Sequence, residues 1–202
     1  MTKSKEDLMR DFILNCSESL FTQYGYKNTS MEKIAEKCDI SKPTLYNYFE
    51  SKSSLFLDLF TRFQNEMAEK SKVLMAKNKD KYLIIEEFID LSLDFVQEKR
   101  DFLRIMIRDH HMVANEHDDI DEHINSEFRR RQEIAMTLGE FMKDIVRPEI
   151  LKEFGVDMIG ITLTNLLEGA FWDSIKDDST NHENHEKQKK LIMKLLKSGI
   201  LI

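Results

Sequence analysis

The sequence predicts an all-α fold of about nine helices: a small three-helix head followed by a larger helical body. Two observations carry this. Only six Gly and two Pro interrupt 202 residues, too few for the many corners of a β fold. Apolar residues also recur at spacings of three and four along most of the chain, the period of an amphipathic helix. An apolar fraction of 41% with 33% charged residues suits a globular protein. No apolar run approaches the roughly 20 residues that span a bilayer.

In the head, Leu8, Phe12, Ile13, Cys16, Leu20 and Phe21 mark a first amphipathic helix, ended by Gly25, the residue type that most readily turns left-handed past a helix. The N-terminal residues lead straight into this pattern and do not read as a secretion signal. Thr29-Ser30-Met31-Glu32 reads as a capping box opening a second, short helix with Met31, Ile34, Ala35 and Cys38 facing inward. Asp39-Ile40-Ser41 is a three-residue turn, and Ser41 with Pro43 opens a third helix over about 42–49. Ser51 caps a long fourth helix carrying Leu55, Leu59, Phe63 and Met67. The polar run Lys77 to Lys81 breaks the chain, and further helical patterns cover about 82–98, 101–113, 121–147, 156–177 and 186–198. These divide the chain into a head, 1–52, a linking helix, 52–76, and a body, 77–202. Cys16 and Cys38 occupy apolar helix positions 22 residues apart, and read as reduced core residues of a cytoplasmic protein, not as a disulfide or metal pair.

A net charge of −7 argues at first against a nucleic-acid partner. Yet residues 1–55 balance eight Lys/Arg against eight Asp/Glu, so the whole excess lies in the remainder. The spacing of the head is more telling. A short helix, a three-residue turn and a second short helix present that second helix to a major groove about 12 Å wide. Such a helix needs donors, acceptors and flat rings outward and apolar anchors inward. Leu45 and Phe49, four apart, are the anchors, and Lys42, Thr44, Tyr46, Asn47 and Tyr48 face outward. Lys42 can reach a guanine edge or a phosphate, and Thr44 a phosphate or a thymine methyl. Tyr46 and Tyr48 suit positioning contacts to the backbone, and Asn47 either role. Thr29, Ser30 and Ser41 at helix starts, and Lys52 opening the fourth helix, complete the candidate DNA-binding set.

The run from Thr29 to Phe49, with Leu45-Tyr46-Asn47-Tyr48-Phe49 and the following Glu50-Ser51-Lys52-Ser53-Ser54-Leu55-Phe56, resembles the N-terminal domain of the tetracycline-repressor family. The resemblance covers about a quarter of the chain. It implies three head helices, a connecting fourth and a divergent helical body that dimerises and senses an effector. It also implies DNA contacts at the positions of Thr29, Lys42, Thr44, Tyr46, Tyr48 and Lys52. Two residues depart from the pattern: Asp39 stands where Gly is frequent in the turn, and Asp tolerates the left-handed region. Glu50 stands where a basic or neutral residue is frequent, and it is not a candidate contact.

For the body the resemblance implies two tasks. Ile159, Leu163, Leu166, Leu167, Ala170 and Phe171, with Leu191 and Leu195, are the candidate dimer interface, two helices that a second copy would complete to a four-helix bundle. Phe95, Phe102, Met106, His110, Asn165, Glu168 and Trp172 are the candidate ligand-binding residues. Asp119, His123 and Glu127 share one helix face, but a charged stretch between helices reads as a solvated connection, and so does the His182–His185 loop. No metal and no cofactor is expected. No Gly-rich phosphate loop, nucleophile elbow or His-Glu-x-x-His motif appears, so an enzyme is not expected. The partners expected are a palindromic double-stranded DNA operator, a second copy of the chain and an unknown small-molecule effector, with no membrane. The resulting expectation is a transcriptional repressor released by that effector. The alternative is a DNA-binding regulator without one, governed by a partner protein or a metal.

Overall fold

A computed structural model of the chain describes the backbone of residues 4–77, 80–116, 120–176 and 182–202, and within these spans the side chains other than those of 110–111, 114–116, 120–128, 170–176 and 182–185. The described residues form eight α-helices: α1 Lys5–Asn28, α2 Met31–Lys37, α3 Lys42–Tyr46, α4 Lys52–Met75, α5 Lys81–Glu116, α6 Ile120–Met142, α7 Pro148–Lys176 and α8 His182–Gly199. The count falls below nine because 82–98 and 101–113 are one helix. Nothing between them breaks it: Lys99-Arg100-Asp101 is polar but contains neither Gly nor Pro. The stretch expected to be helical over 121–147 stops at Met142. Among the described residues no helix is long and apolar enough to cross a membrane.

Two compact units emerge, and neither is contiguous in sequence. The first comprises 1–66 and 100–120, the second 67–99 and 121–202.

In the first unit, Ser4 caps α1 through a reciprocal pair: the Asp7 amide donates to Ser4 Oγ, and the Ser4 amide to Asp7 Oδ2, both at 3.0 Å. The backbone leaves the helical region at Gly25, with φ 78° and ψ 169°. The positive φ favours glycine there, and a Cβ would also push aside the Arg108 guanidinium, whose Nη2 would lie 2.6 Å away. Within an otherwise aliphatic core lies a cluster of aromatic rings. Phe56 meets Phe21, Tyr26 and Phe102 at 4.9, 5.1 and 5.1 Å between ring centroids, and Phe102 meets Phe63 at 4.9 Å. Phe102 therefore belongs to this core and not to a ligand cavity.

In the second unit the core is aliphatic, built on Ile84, Ile85, Ile89, Leu138, Met142 and Leu196 among others. α6 and α7 cross with backbones nearly touching at two glycines. A Cβ on Gly160 would lie 1.9 Å from the Ala135 carbonyl oxygen, and one on Gly139 2.3 Å from that of Val156. Helix α7 also contains a break, at Gly155 with φ 73°. Arg147 holds the chain around Leu201, donating to the Leu201 and Ser198 carbonyls at 2.9 Å each.

Candidate nucleic-acid interface

The interface candidate is α2, its turn and α3, all in the first unit. Ser30 is the residue that caps α2, accepting the Lys33 amide at 3.3 Å. Thr29, expected to cap α2 and to contact DNA, is not the cap. It is only 2% exposed, and its hydroxyl donates to the Gly25 and Leu20 carbonyls at 2.8 and 3.3 Å. The break at Gly25 interrupts the helical hydrogen-bond ladder, and the inward Thr29 hydroxyl serves carbonyls beside it. With the cap shifted by one residue, Lys33 stands at the third helical position and the expected carboxylate reciprocation is lost.

Past Cys38, Asp39 takes a left-handed φ of 52°, and the Ile40 amide donates back to the Ala35 carbonyl at 3.0 Å. That closes the turn and points the chain into α3. Ser41 caps α3 through the Thr44 amide at 3.2 Å, and its hydroxyl shares a 2.7 Å hydrogen bond with that of Thr44. Leu45 and Phe49 are buried at 0% and 1% exposure, the anchors expected. Lys42, Tyr46 and Asn47 are exposed, while Thr44 and Tyr48 are half-buried. Asn47 caps the end of α3, and Tyr48 lies just beyond it, because the helix stops three residues before its expected end.

Charge is arranged less simply than donors and acceptors. The Lys42 ammonium pairs with Glu32 Oε1 at 2.5 Å. This hydrogen bond, first among several, holds the Glu32 carboxyl down to about 2. Lys52 points inward: its ammonium donates to the Tyr26 carbonyl at 3.2 Å and sits 4.0 Å from the centre of the Tyr26 ring. It is half-buried and holds the start of α4 to the kinked end of α1.

Residues not anticipated from sequence fix the orientation of α3. Arg10 donates to the Tyr48 carbonyl at 2.7 Å, pairs with Asp58 and lies 4.4 Å over the Phe49 ring. Asp109, 6% exposed, accepts the Tyr26 amide at 3.0 Å and is gripped by Arg108 at 2.8 and 3.0 Å. Partners 38, 48 and 83 positions apart leave no periodic trace in a sequence.

The second unit redistributes the remaining candidates. Ile159 and Leu163 are buried at 6% and 4% in the chain's own core, and Leu167 is packed against it. They are already covered, so they are removed from the dimer candidates. Leu166, Leu191 and Leu195 remain exposed, as do Met158 and Ile161. Of the ligand candidates, Phe95 is buried with the Lys70 ammonium 5.3 Å from its ring centre. Met106 is half-buried. Asn165 and Glu168 both accept from Arg131, and burial raises the Glu168 carboxyl above its usual range against the pull of that Arg. A small apolar gap, bounded by Ile85, Phe88, Leu138, Leu163, Leu167 and Ile192 among others, has about 10 Å³, room for one water at most. The side chains of His110, Ala170, Phe171 and Trp172, the Asp119–His123–Glu127 face and the His182–His185 loop lie outside the described residues.

Residues 13–59 match the family model for bacterial regulatory proteins of the tetR family. The chain is 36% identical over 66 residues, 33% of its own length and 35% of the relative's, to the uncharacterized HTH-type transcriptional regulator YhgD of Bacillus subtilis. To the HTH-type transcriptional repressor KstR2 of Rhodococcus jostii it is 26% identical over 141 residues, 67% of this chain and 69% of that protein. The chain thus covers about a third of the first of these relatives. A solved structure of a TetR-family transcriptional regulator from Syntrophomonas wolfei superposes with a TM-score of 0.74 at 22% identity, covering 98% of this chain and 99% of that one.

Proposed function

We propose that the chain, whose residues 13–59 match the family model for bacterial regulatory proteins of the tetR family, is a transcriptional repressor that binds a palindromic DNA operator as a homodimer. The observation that carries this is α3. Five residues long, it buries Leu45 completely and leaves Lys42, Tyr46 and Asn47 outward. Thr44 and Tyr48 flank them at half burial, the arrangement a groove-reading helix needs.

The roles divide by geometry. Tyr46 and Tyr48 position the head on phosphates, with Ser30 and Ser41 contributing hydroxyls from the helix starts. Lys42 and Asn47 are the base-reading candidates. Lys52 acts indirectly, by holding the start of α4. Two-fold symmetry is required because one short helix reads few base pairs, and doubling it multiplies specificity. The dimer surface draws on the exposed apolar residues Met158, Ile161 and Leu166 of α7 and Leu191 and Leu195 of α8. Such a regulator works on cytoplasmic DNA and catalyses nothing.

Release by a small molecule is the first reading of its control, by a shift in the separation of the two heads. A second reading, control by a partner protein, is favoured by the core of the second unit, where the small apolar gap has room for no more than a water.

Footprinting and titration on the DNA upstream of its own gene test the proposal. One protected palindrome and a steep loss of affinity with salt are expected. Equal binding to unrelated duplexes, or none at low salt, overturns it.

A further inference from the structure

Helix α3 carries a single charged side chain, Lys42, and the fold gives that charge a partner. The Lys42 ammonium lies 2.5 Å from Oε1 of Glu32, a residue of the first turn of α2. Both side chains stand in solvent, 52% and 55% exposed. Two other lysines of the head are tethered differently. Lys33 donates to the Asn28 carbonyl at 2.8 Å and Lys52 to the Tyr26 carbonyl at 3.2 Å. Those acceptors carry no net charge, so Lys33 and Lys52 keep theirs, whereas Lys42 is neutralised by a carboxylate.

We propose that Glu32 determines specificity, a role that rests on the DNA-binding reading of α3: its ion pair with Lys42 withholds that charge from phosphates and reserves it for the neutral edge of a guanine. An ammonium has three N–H donors. One is directed at Glu32, and two remain for O6 and N7 of a guanine, the acceptors that lysine reads in the major groove. A base edge has no net charge, so the carboxylate can stay in place while Lys42 reads it. A phosphate is a full anion. To grip one, Lys42 must either bring the Glu32 carboxylate toward it, where like charges repel, or leave that carboxylate unpaired beside the DNA.

An exposed ion pair is weak by itself, so it does not prevent docking. It changes the relative strength of the two contacts. Binding to unrelated DNA is almost wholly phosphate contact with release of counterions, and the penalty falls mainly there. At the operator the carboxylate still faces surrounding phosphates, so its removal helps there too, but by less. The charge balance of the head is of the same kind: eight Lys/Arg against eight Asp/Glu over residues 1–55 leave no surplus of cations for holding an arbitrary duplex.

The test measures fluorescence anisotropy of the full-length protein on the upstream duplex protected in footprinting and on an unrelated duplex of equal length, over a range of salt. Glu32→Gln should raise affinity about threefold on the protected duplex and at least about tenfold on the unrelated one, with a salt slope on the latter steeper by about one per head. Discrimination between the two duplexes thus falls at least about threefold, and in a Lys42→Gln background Glu32→Gln should shift both affinities equally. Equal gains on both duplexes with Lys42 present would reduce Glu32 to a general repulsive charge and overturn the role, as would the same loss of discrimination with Lys42 absent. A loss of affinity for the protected duplex overturns it as well. If the unaltered protein protects no site, or binds both duplexes alike, the DNA-binding reading itself falls and the role of Glu32 with it.

Discussion

The two units are stabilised in different ways. The first packs rings against rings, with five aromatic side chains linked through Phe56 and Phe102, and closes its helix ends with hydroxyls at Ser4, Ser30, Ser41 and Ser51. The second packs branched and unbranched aliphatic chains, and gains its closest helix contact by omitting side chains at Gly139 and Gly160. Ring packing is directional, because edge-to-face pairs are favoured over arbitrary contact. Aliphatic packing mainly asks for matching volume. The unit that must present α3 at a set angle is thus built from the more orientation-demanding contacts. The other unit can change its residues freely provided its volumes and its two glycines survive.

That contrast is open to attack at several strengths. The largest effect is expected for Phe56→Ala, which removes the ring shared by three others; chemical denaturation should show a loss of about 4 kcal/mol. Gly160→Ala should cost about 3 kcal/mol in the same measurement, since the added methyl meets a backbone oxygen and the helices must part. A cost near zero there would mean that the α6–α7 crossing is not held by small residues. Asp109→Ala should cost about 2 kcal/mol, leaving the Tyr26 amide without its charged acceptor. Thermal unfolding with and without this change measures it.

Smaller effects belong to the exposed interface. Glu32→Gln frees Lys42 from its ion pair and removes a negative charge from the face offered to phosphates. DNA affinity should rise severalfold, read by fluorescence anisotropy at two salt concentrations, with a steeper salt dependence. Weaker binding would instead make Glu32 a reader of DNA. The sign of the pH dependence follows from the depressed carboxyl of Glu32. Its contribution is fully present above the ordinary carboxylate value of 4.5 and is lost only as pH falls through about 2. Carboxyl NMR titration should place Glu32 well below its ordinary value, and Lys42→Ala should return it most of the way.

Much of the head could be read in advance because its signals are local. Gly25, Asp39, Ser41 and Pro43 act on backbone within a few residues of themselves, and Leu45 with Phe49 shows its helical period directly. Thr29 departs from its expected capping role for an equally local reason: Thr29 and Ser30 are both competent caps, and the inward carbonyls of Leu20 and Gly25 choose between them. In the body, Ile159 and Leu163 look like Leu191 and Leu195 in any hydrophobicity pattern. Whether an apolar face closes its own core or waits for a second chain depends on what is packed opposite.

Composition and apolar period suffice to show that the chain is helical, where most helices begin, and that the short helix after Ser41 carries outward polar groups on an apolar footing. These follow from backbone conformation and period, both short-range. Only the tertiary structure decided that Lys42 is paired with Glu32, that Lys52 and Thr29 turn inward and that Phe102 belongs to the core of the first unit. Each of these depends on which distant side chain occupies the facing position, and a pattern of spacings along one strand of sequence does not contain that.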